Sequence, residues 1–281
     1  MTKNLKSTTR LNDGHLMPWL GLGVWKVEDR KTLIQAVQTA LDTGYISLDT
    51  AAAYQNEAFV GEAIKSSGIA REKLFVTTKL WNRNQIKGYD ATIKACKESL
   101  QKMQMDYVDL YLIHWPVPSK DMYPEAWQAL VDLQKQGLAR SIGVSNFHPH
   151  HIEKIIETTG VVPAVNQVEL HPWLNQKDLI TYCRDKAIQI EAYSPLMGGH
   201  LSEEPALAAI AERCGKTPAQ VVLRWHLQNE VVIIPKSVHD HRIRENADLF
   251  DFELTTEDLQ AIDLLNRDHR FLPDPDHMAF Y

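Results

Sequence analysis

The sequence has little cysteine, no long apolar run and no excess of basic charge, and each absence removes a class of function. Its three cysteines, Cys96, Cys183 and Cys214, are odd in number and far apart, which suits reduced thiols rather than a disulfide framework. No stretch approaches the roughly 18 consecutive apolar residues that a membrane-spanning helix needs. The opening MTKNLKSTTRLNDG lacks the apolar region of a signal peptide. A cytoplasmic protein without a membrane partner is therefore expected. The formal net charge of -6 gives no basic footprint for nucleic acid, although it leaves room for a local cationic site. Three common motifs are also missing: there is no P-loop, no H-E-x-x-H, and GLGVWK (Gly21 to Lys26) has Lys26 where the third glycine of a dinucleotide fingerprint belongs.

What is present is alternation. The chain has 281 residues, 44% of them hydrophobic, enough for one large core. Short apolar runs predict eight strands, near Leu20–Gly23, Ile46–Asp49, Leu74–Lys79, Tyr107–His114, Ser141–Val144, Ala164–Val168, Ile188–Ala192 and Val231–Ile234. Helical patterns lie between them. One helix is expected to begin at Asp29 and stop at Gly44, and a second to begin at Asn56 and stop at Gly68, while Ile93, Cys96, Leu100 and Met103 stripe a third. Continuous apolar strands, each followed by a helix with no linker between units, predict a single (β/α)8 barrel domain over residues 1–281.

In such a barrel the chemistry sits at the C-terminal ends of the strands. The second predicted strand ends at Asp49, the third at Lys79 and the fourth at His114, and Tyr54 follows Asp49 by five residues. A structural ion network would also place charges there. Together, however, these groups suit protonation of an oxygen: a nearby ammonium is expected to lower the pKa of the Tyr54 phenol, Asp49 to hold Lys79 charged, and His114 to orient a carbonyl oxygen. The site offers no obvious nucleophile or metal, so electrons for a reduction must come from a cofactor.

Two other readings stay open on these residues alone: a Schiff-base lyase using Lys79, and a nucleotide-binding regulatory subunit on an enzyme scaffold. Trp25, Trp81 and Trp115 each follow a strand and can wall a pocket. Lys236, Ser237 and Arg242, after the last strand, suit either a phosphate or a solvated basic helix start. The run FHPHH contains His148, His150 and His151 at a predicted helix start, where capping and exposure account for it; no metal site is expected.

LDTAAAY, TTKLWN, LYLIHWPVP, IGVSNF, NQVELHP, YSPL and IPKS with RIREN resemble, in order and across nearly the whole chain, the aldo-keto reductase family. HWPVPSKDMYPEAW, GKTPAQVVLRWHL and LPDPD resemble its bacterial 2,5-diketo-D-gluconate and small-aldehyde (methylglyoxal) reductases. The resemblance implies NADPH-dependent carbonyl reduction by a monomer, with Asp49, Tyr54, Lys79 and His114 catalytic and Tyr54 protonating the carbonyl oxygen as hydride leaves the nicotinamide. It implies cofactor contacts from Gly23, Val24, Trp25, Ser194, Leu196 and Val238. It also places Tyr193 on the nicotinamide ring, and Ser145, Asn146 and Gln167 on its carboxamide. Lys236, Ser237 and Arg242 would then hold the 2'-phosphate, with Glu245 and Asn246 near the adenine. His239 stands where relatives often carry Thr or Arg. Trp25, Tyr54, Trp81, His114 and Trp115 would line the substrate pocket, which a short loop after Leu196 and a short tail from Phe271 are expected to leave fairly open.

Overall fold

The computed structural model describes residues 4–278; residues 1–3 and 279–281 of the expected domain lie outside them. A hairpin comes first, with strands β1 (Thr8–Arg10) and β2 (Leu16–Pro18). It was not expected from the sequence, because its strands are only three residues long and their alternation is weak. Thr9 Oγ1 donates to Gln189 Oε1 and Asn12 Nδ2 to the Pro163 carbonyl. Both partners lie at the N-terminal ends of barrel strands, so the hairpin sits on the face opposite the strand ends expected to carry chemistry.

Eight parallel strands follow in sequence order: β3 (Leu22–Gly23), β4 (Ser47–Asp49), β5 (Phe75–Leu80), β6 (Val108–Ile113), β7 (Ala139–Ser145), β8 (Val165–Glu169), β9 (Gln189–Tyr193) and β10 (Val232–Ile233). All eight expected strands are present, with ends that differ by one or a few residues. Closure comes from single parallel bridges, Leu20 to Ile233 and Gly23 to Lys236, with Gly21 N donating to the Ile233 carbonyl at 2.9 Å. Two glycines make this approach possible. A Cβ on Gly21 would lie 2.8 Å from Ser47 Oγ, and one on Gly23 would lie 2.9 Å from the Ile234 carbonyl oxygen.

β5 and β6 are buried at every position, as strands covered by helices on one face and barrel core on the other should be. The helix Arg30–Thr43 begins under an Asp29 cap that accepts from Thr32 N at 2.8 Å, and it ends at Gly44 in the left-handed region. Asn56 precedes the helix Glu57–Ser67, but its side chain makes no cap bond. It accepts instead from Thr50 Oγ1 and donates to the Val24 and Val27 carbonyls, which ties the loops after β3 and β4 together at the barrel mouth.

Candidate active site

The mouth of the barrel opens into a cavity of about 390 Å³ lined by Gly23, Trp25, Asp49, Tyr54, Trp81, His114, Trp115, Ser145, Asn146, Gln167, Tyr193, Ser194 and Lys236, together with Lys26, Glu28, Ala53, Ile234, Leu272, Pro273 and Met278. Parallel strands bring the residues after β3 to β10 to one rim, because every strand runs the same way. Asp49 closes β4 and Lys79 lies in β5. His114 follows β6, and Tyr54 arrives on a single turn of 3-10 helix, Ala52–Tyr54.

At the floor, Lys79 is fully buried and Asp49 is 2% exposed. Lys79 Nζ donates to Asp49 Oδ1 at 2.6 Å and to the Thr50 carbonyl at 2.9 Å, and it also hydrogen-bonds the Tyr54 hydroxyl. All three ammonium hydrogens are thereby committed. Burial pulls the Lys79 pKa down, but the Asp49 carboxylate and Tyr54 outweigh it and leave the value above that of ordinary lysine. A lysine held charged in this way has no lone pair for attack on a carbonyl, which removes the support for the Schiff-base reading.

The Tyr54 phenol departs from expectation. Lys79 does lower its pKa, but burial raises it more, Asp49 and Glu191 add to the rise, and the net shift is upward. The phenol therefore carries its proton throughout the neutral range. His114 is displaced well below the usual imidazole value by burial and then by Lys79, so it is a neutral ring. Its Nδ1 is buried without a hydrogen-bond partner. The ring meets Tyr54 edge-on with centroids 5.8 Å apart and Trp81 with centroids 5.2 Å apart. A protonated phenol and a neutral N–H donor beside one cavity can together hold and protonate an oxygen.

Sequence reasoning missed a second carboxyl at this floor. Glu191, in the middle of β9, is 1% exposed. Gln167 Nε2 donates at 2.8 Å to Asp49 Oδ2 and at 2.8 Å to Glu191 Oε2. Burial foremost, then the Asp49 charge, raises the Glu191 pKa to about 8. The available signal was a glutamate inside the otherwise apolar run IEAY, unexpected in a buried strand.

Ser145, Asn146 and Tyr193 form a linked set. Ser145 Oγ donates to the Gln167 carbonyl, Asn146 Nδ2 to the His114 carbonyl and to Ser145 Oγ, and the Tyr193 hydroxyl to Asn146 Oδ1 at 2.7 Å. Val24 does not line the cavity: it is 1% exposed within the core, because its side chain falls on the inward side of the turn after β3. Leu196 packs against the core and also lies off the cavity. Ser237, Val238, Arg242, Glu245 and Asn246 follow Lys236 beyond the lining. Lys236 and Arg242 are exposed, and among the described residues no carboxylate forms an ion pair with either. Glu245 is engaged by Thr217 Oγ1 at 2.7 Å, and His239 stands exposed at the N-cap of the helix Asp240–Glu245.

The tail from Phe271 takes a larger part than its length suggested. Buried Glu169 accepts from Phe271 N at 2.7 Å and Leu272 N at 3.0 Å, and so fixes the segment whose Leu272, Pro273 and Met278 wall the cavity. Farther on, His148 Nε2 lies 3.2 Å from Asp274, and His150 and His151 lie 3.0 and 3.1 Å from Asp276. His151 Nδ1 accepts the His148 N–H, while its buried Nε2, though 3.1 Å from Asp276, makes no hydrogen bond among the described residues. His148 and His150, hydrogen-bonded to Asp274 and Asp276, tether the tail.

A closed parallel barrel with a phenol, a neutral imidazole and a buried lysine–aspartate pair gathered at its mouth is the architecture of an enzyme. The chain belongs to the aldo/keto reductase family, whose model matches residues 19–267. It is 52% identical to the glyoxal reductase of Bacillus subtilis (strain 168) over 100% of both chains. It is 48% identical to the methylglyoxal reductase DkgA of Escherichia coli (strain K12), over 96% of this chain and 97% of that one. A mutant of Gox0644 solved in complex with NADPH superposes with a TM-score of 0.93 at 44% identity, covering 98% of this chain and 99% of that one.

Proposed function

We propose that this chain is a single-domain, NADPH-dependent reductase of small or polar aldehydes and ketones, with 2-oxoaldehydes and keto-sugar acids as its substrate class. The carrying observation is the convergence of the Tyr54 hydroxyl and the neutral His114 ring on one cavity, with the Lys79–Asp49 pair behind them. Similarity to glyoxal and methylglyoxal reductases supports the small-carbonyl reading, as does a cavity of about 390 Å³ walled by three tryptophans and the tail.

The residues present fit the cofactor. The cavity is lined by Lys236 and Gly23 as well as by Ser194, Tyr193, Ser145, Asn146 and Gln167, the residues that would meet the cofactor. Lys236 and Arg242 would hold the 2'-phosphate with Ser237, and Glu245 and Asn246 would lie near the adenine. When bound, NADPH supplies the hydride that no side chain can provide. Tyr54 gives its proton to the carbonyl oxygen, and the Lys79 ammonium stabilises the phenolate left behind. Asp49 keeps that ammonium charged and in place. His114 fixes the substrate oxygen, and Trp25, Trp81 and Trp115 exclude water from the reacting carbon. Three free cysteines and the absence, among the described residues, of any helix long and apolar enough to cross a membrane support a cytoplasmic setting. A monomer suffices, since every group invoked lies on one chain.

The test is loss of NADPH absorbance with glyoxal, methylglyoxal and 2,5-diketo-D-gluconate, beside an NADH control that reads the effect of His239. Turnover on the small carbonyls that is lost in Tyr54→Phe supports the reading. Strong activity only on bulky steroids would refute the substrate class. NADPH binding without turnover on a broad carbonyl panel would favour a regulatory role.

A further inference from the structure

Gln167 lines the cavity with its amide nitrogen held by two carboxyl groups. Both hydrogens of Nε2 are committed, one to Asp49 Oδ2 and one to Glu191 Oε2, each at 2.8 Å. The orientation is chemically fixed. Asp49 is the partner of a lysine ammonium at 2.6 Å, and an amide oxygen turned toward that carboxylate would set two acceptors against each other. Gln167 therefore offers the cavity only its carbonyl oxygen, Oε1. Its neighbours have little else to give: the Ser145 hydroxyl and both Asn146 amide hydrogens are already engaged.

Removing Glu191 would undo this. With one N–H of Gln167 left unpaired in a buried site, the amide gains by rotating until that hydrogen finds an acceptor, and Oε1 loses its fixed aim. Glu191 accepts from Gln167 whether or not it carries a proton, since either form keeps an acceptor oxygen.

We infer that Glu191 is a positioning residue that, with Asp49, locks the Gln167 amide so that its carbonyl selects a ligand bearing an amide N–H donor. Resting on the NADPH reading, it assigns that donor to the carboxamide –NH2 of the nicotinamide and makes Glu191 part of cofactor recognition without touching the cofactor.

The test is equilibrium binding, read by tryptophan fluorescence, of NADPH and of its 3-acetylpyridine analogue, in which a methyl ketone replaces the carboxamide. The wild type should prefer NADPH by about tenfold, the value of one lost hydrogen bond with its acceptor left unpaired. In Glu191→Leu the preference should fall to near unity. In Glu191→Gln, whose side-chain carbonyl can still accept from Gln167, it should persist. A merely structural role for Glu191 would lower thermal stability in Glu191→Leu and leave the ratio alone. Should Glu191→Leu fail to fold, the wild type alone still decides, because both Gln167 side-chain N–H resonances must exchange slowly with solvent. An unchanged ratio in Glu191→Leu, its loss in Glu191→Gln, or fast exchange of either Gln167 proton would each overturn the inference while leaving the cofactor reading intact. Wild-type protein that binds neither nucleotide would overturn both.

Discussion

Replacing Asp49 with Asn probes the floor of the site most directly. The Asn side chain can still accept from Lys79, which donates to Asp49 Oδ1 at 2.6 Å, but the negative charge is gone and a fully buried ammonium is left uncompensated. Breaking a buried pair in this way costs roughly 3–5 kcal/mol. The upper limit follows from an escape route: Lys79 can shed its proton, and neutralising an ordinary lysine near pH 7 costs ~5 kcal/mol. Glu191, relieved of the Asp49 charge that helps to raise its pKa, ionises more readily and offsets part of the loss. The expectation is therefore ~3 kcal/mol, a fall in Tm of about 6–10 °C for a domain of this size. The loss should shrink as pH rises from 7 toward 10, because the depressed Lys79 of the variant binds fewer protons than the unfolded chain does. Asp49→Asn/Lys79→Met should recover much of the stability, and adding Glu191→Gln to Asp49→Asn should deepen the loss. Differential scanning calorimetry over that pH range reads all four. A Tm gap independent of pH, or no recovery in the double variant, would refute the charge argument.

Tyr54→Phe should lower kcat for carbonyl reduction by about 10²–10⁴ while the Kd for NADPH stays within a factor of about two, as stopped-flow and fluorescence titration would show. Lys236→Ala and Arg242→Ala should each weaken NADPH by about tenfold and NADH hardly at all, each removing one charge-assisted contact; equal losses for the two nucleotides would argue against a 2'-phosphate site. A Cβ on Gly61 would run into the Met103 carbonyl oxygen, so Gly61→Ala should cost about 1–3 kcal/mol in chemical denaturation by forcing two helices apart. Glu191 carries a pKa raised to about 8, so the folded state holds a proton that the unfolded chain releases near pH 4.5; stability should fall as pH climbs between those values and level off above about 8, and Glu191→Gln should remove that slope.

The barrel was legible because its signals are local: short apolar runs mark the strands, and Asp29, Gly44 and Gly68 mark helix ends. Asp49, Lys79 and His114 were legible because each sits at or next to a strand end, where a parallel barrel gathers its side chains. What stayed hidden depends on contacts far apart in sequence. Nothing near Asn56 says that it will bridge to Val24 and Val27 rather than cap its helix. Asp49 and Lys79 were paired by reasoning, yet the Tyr54 pKa shift had the wrong sign, because burial is a property of the assembled site and it outweighed the ammonium. Glu169 gives no local hint that it will hold a tail 102 residues away.

That tail clasp separates the cavity's outer wall from its floor. Glu169 grips Phe271 and Leu272 by their backbone N–H groups, so the grip is indifferent to which side chains those positions carry, proline excepted. Asp49, Lys79 and His114 stand on or beside rigid strands, and the cavity wall formed by Leu272, Pro273 and Met278 hangs from a main-chain hook. Residues of that wall can drift through sequence space without disturbing the machinery beneath it, which gives this barrel an adjustable front on a fixed engine.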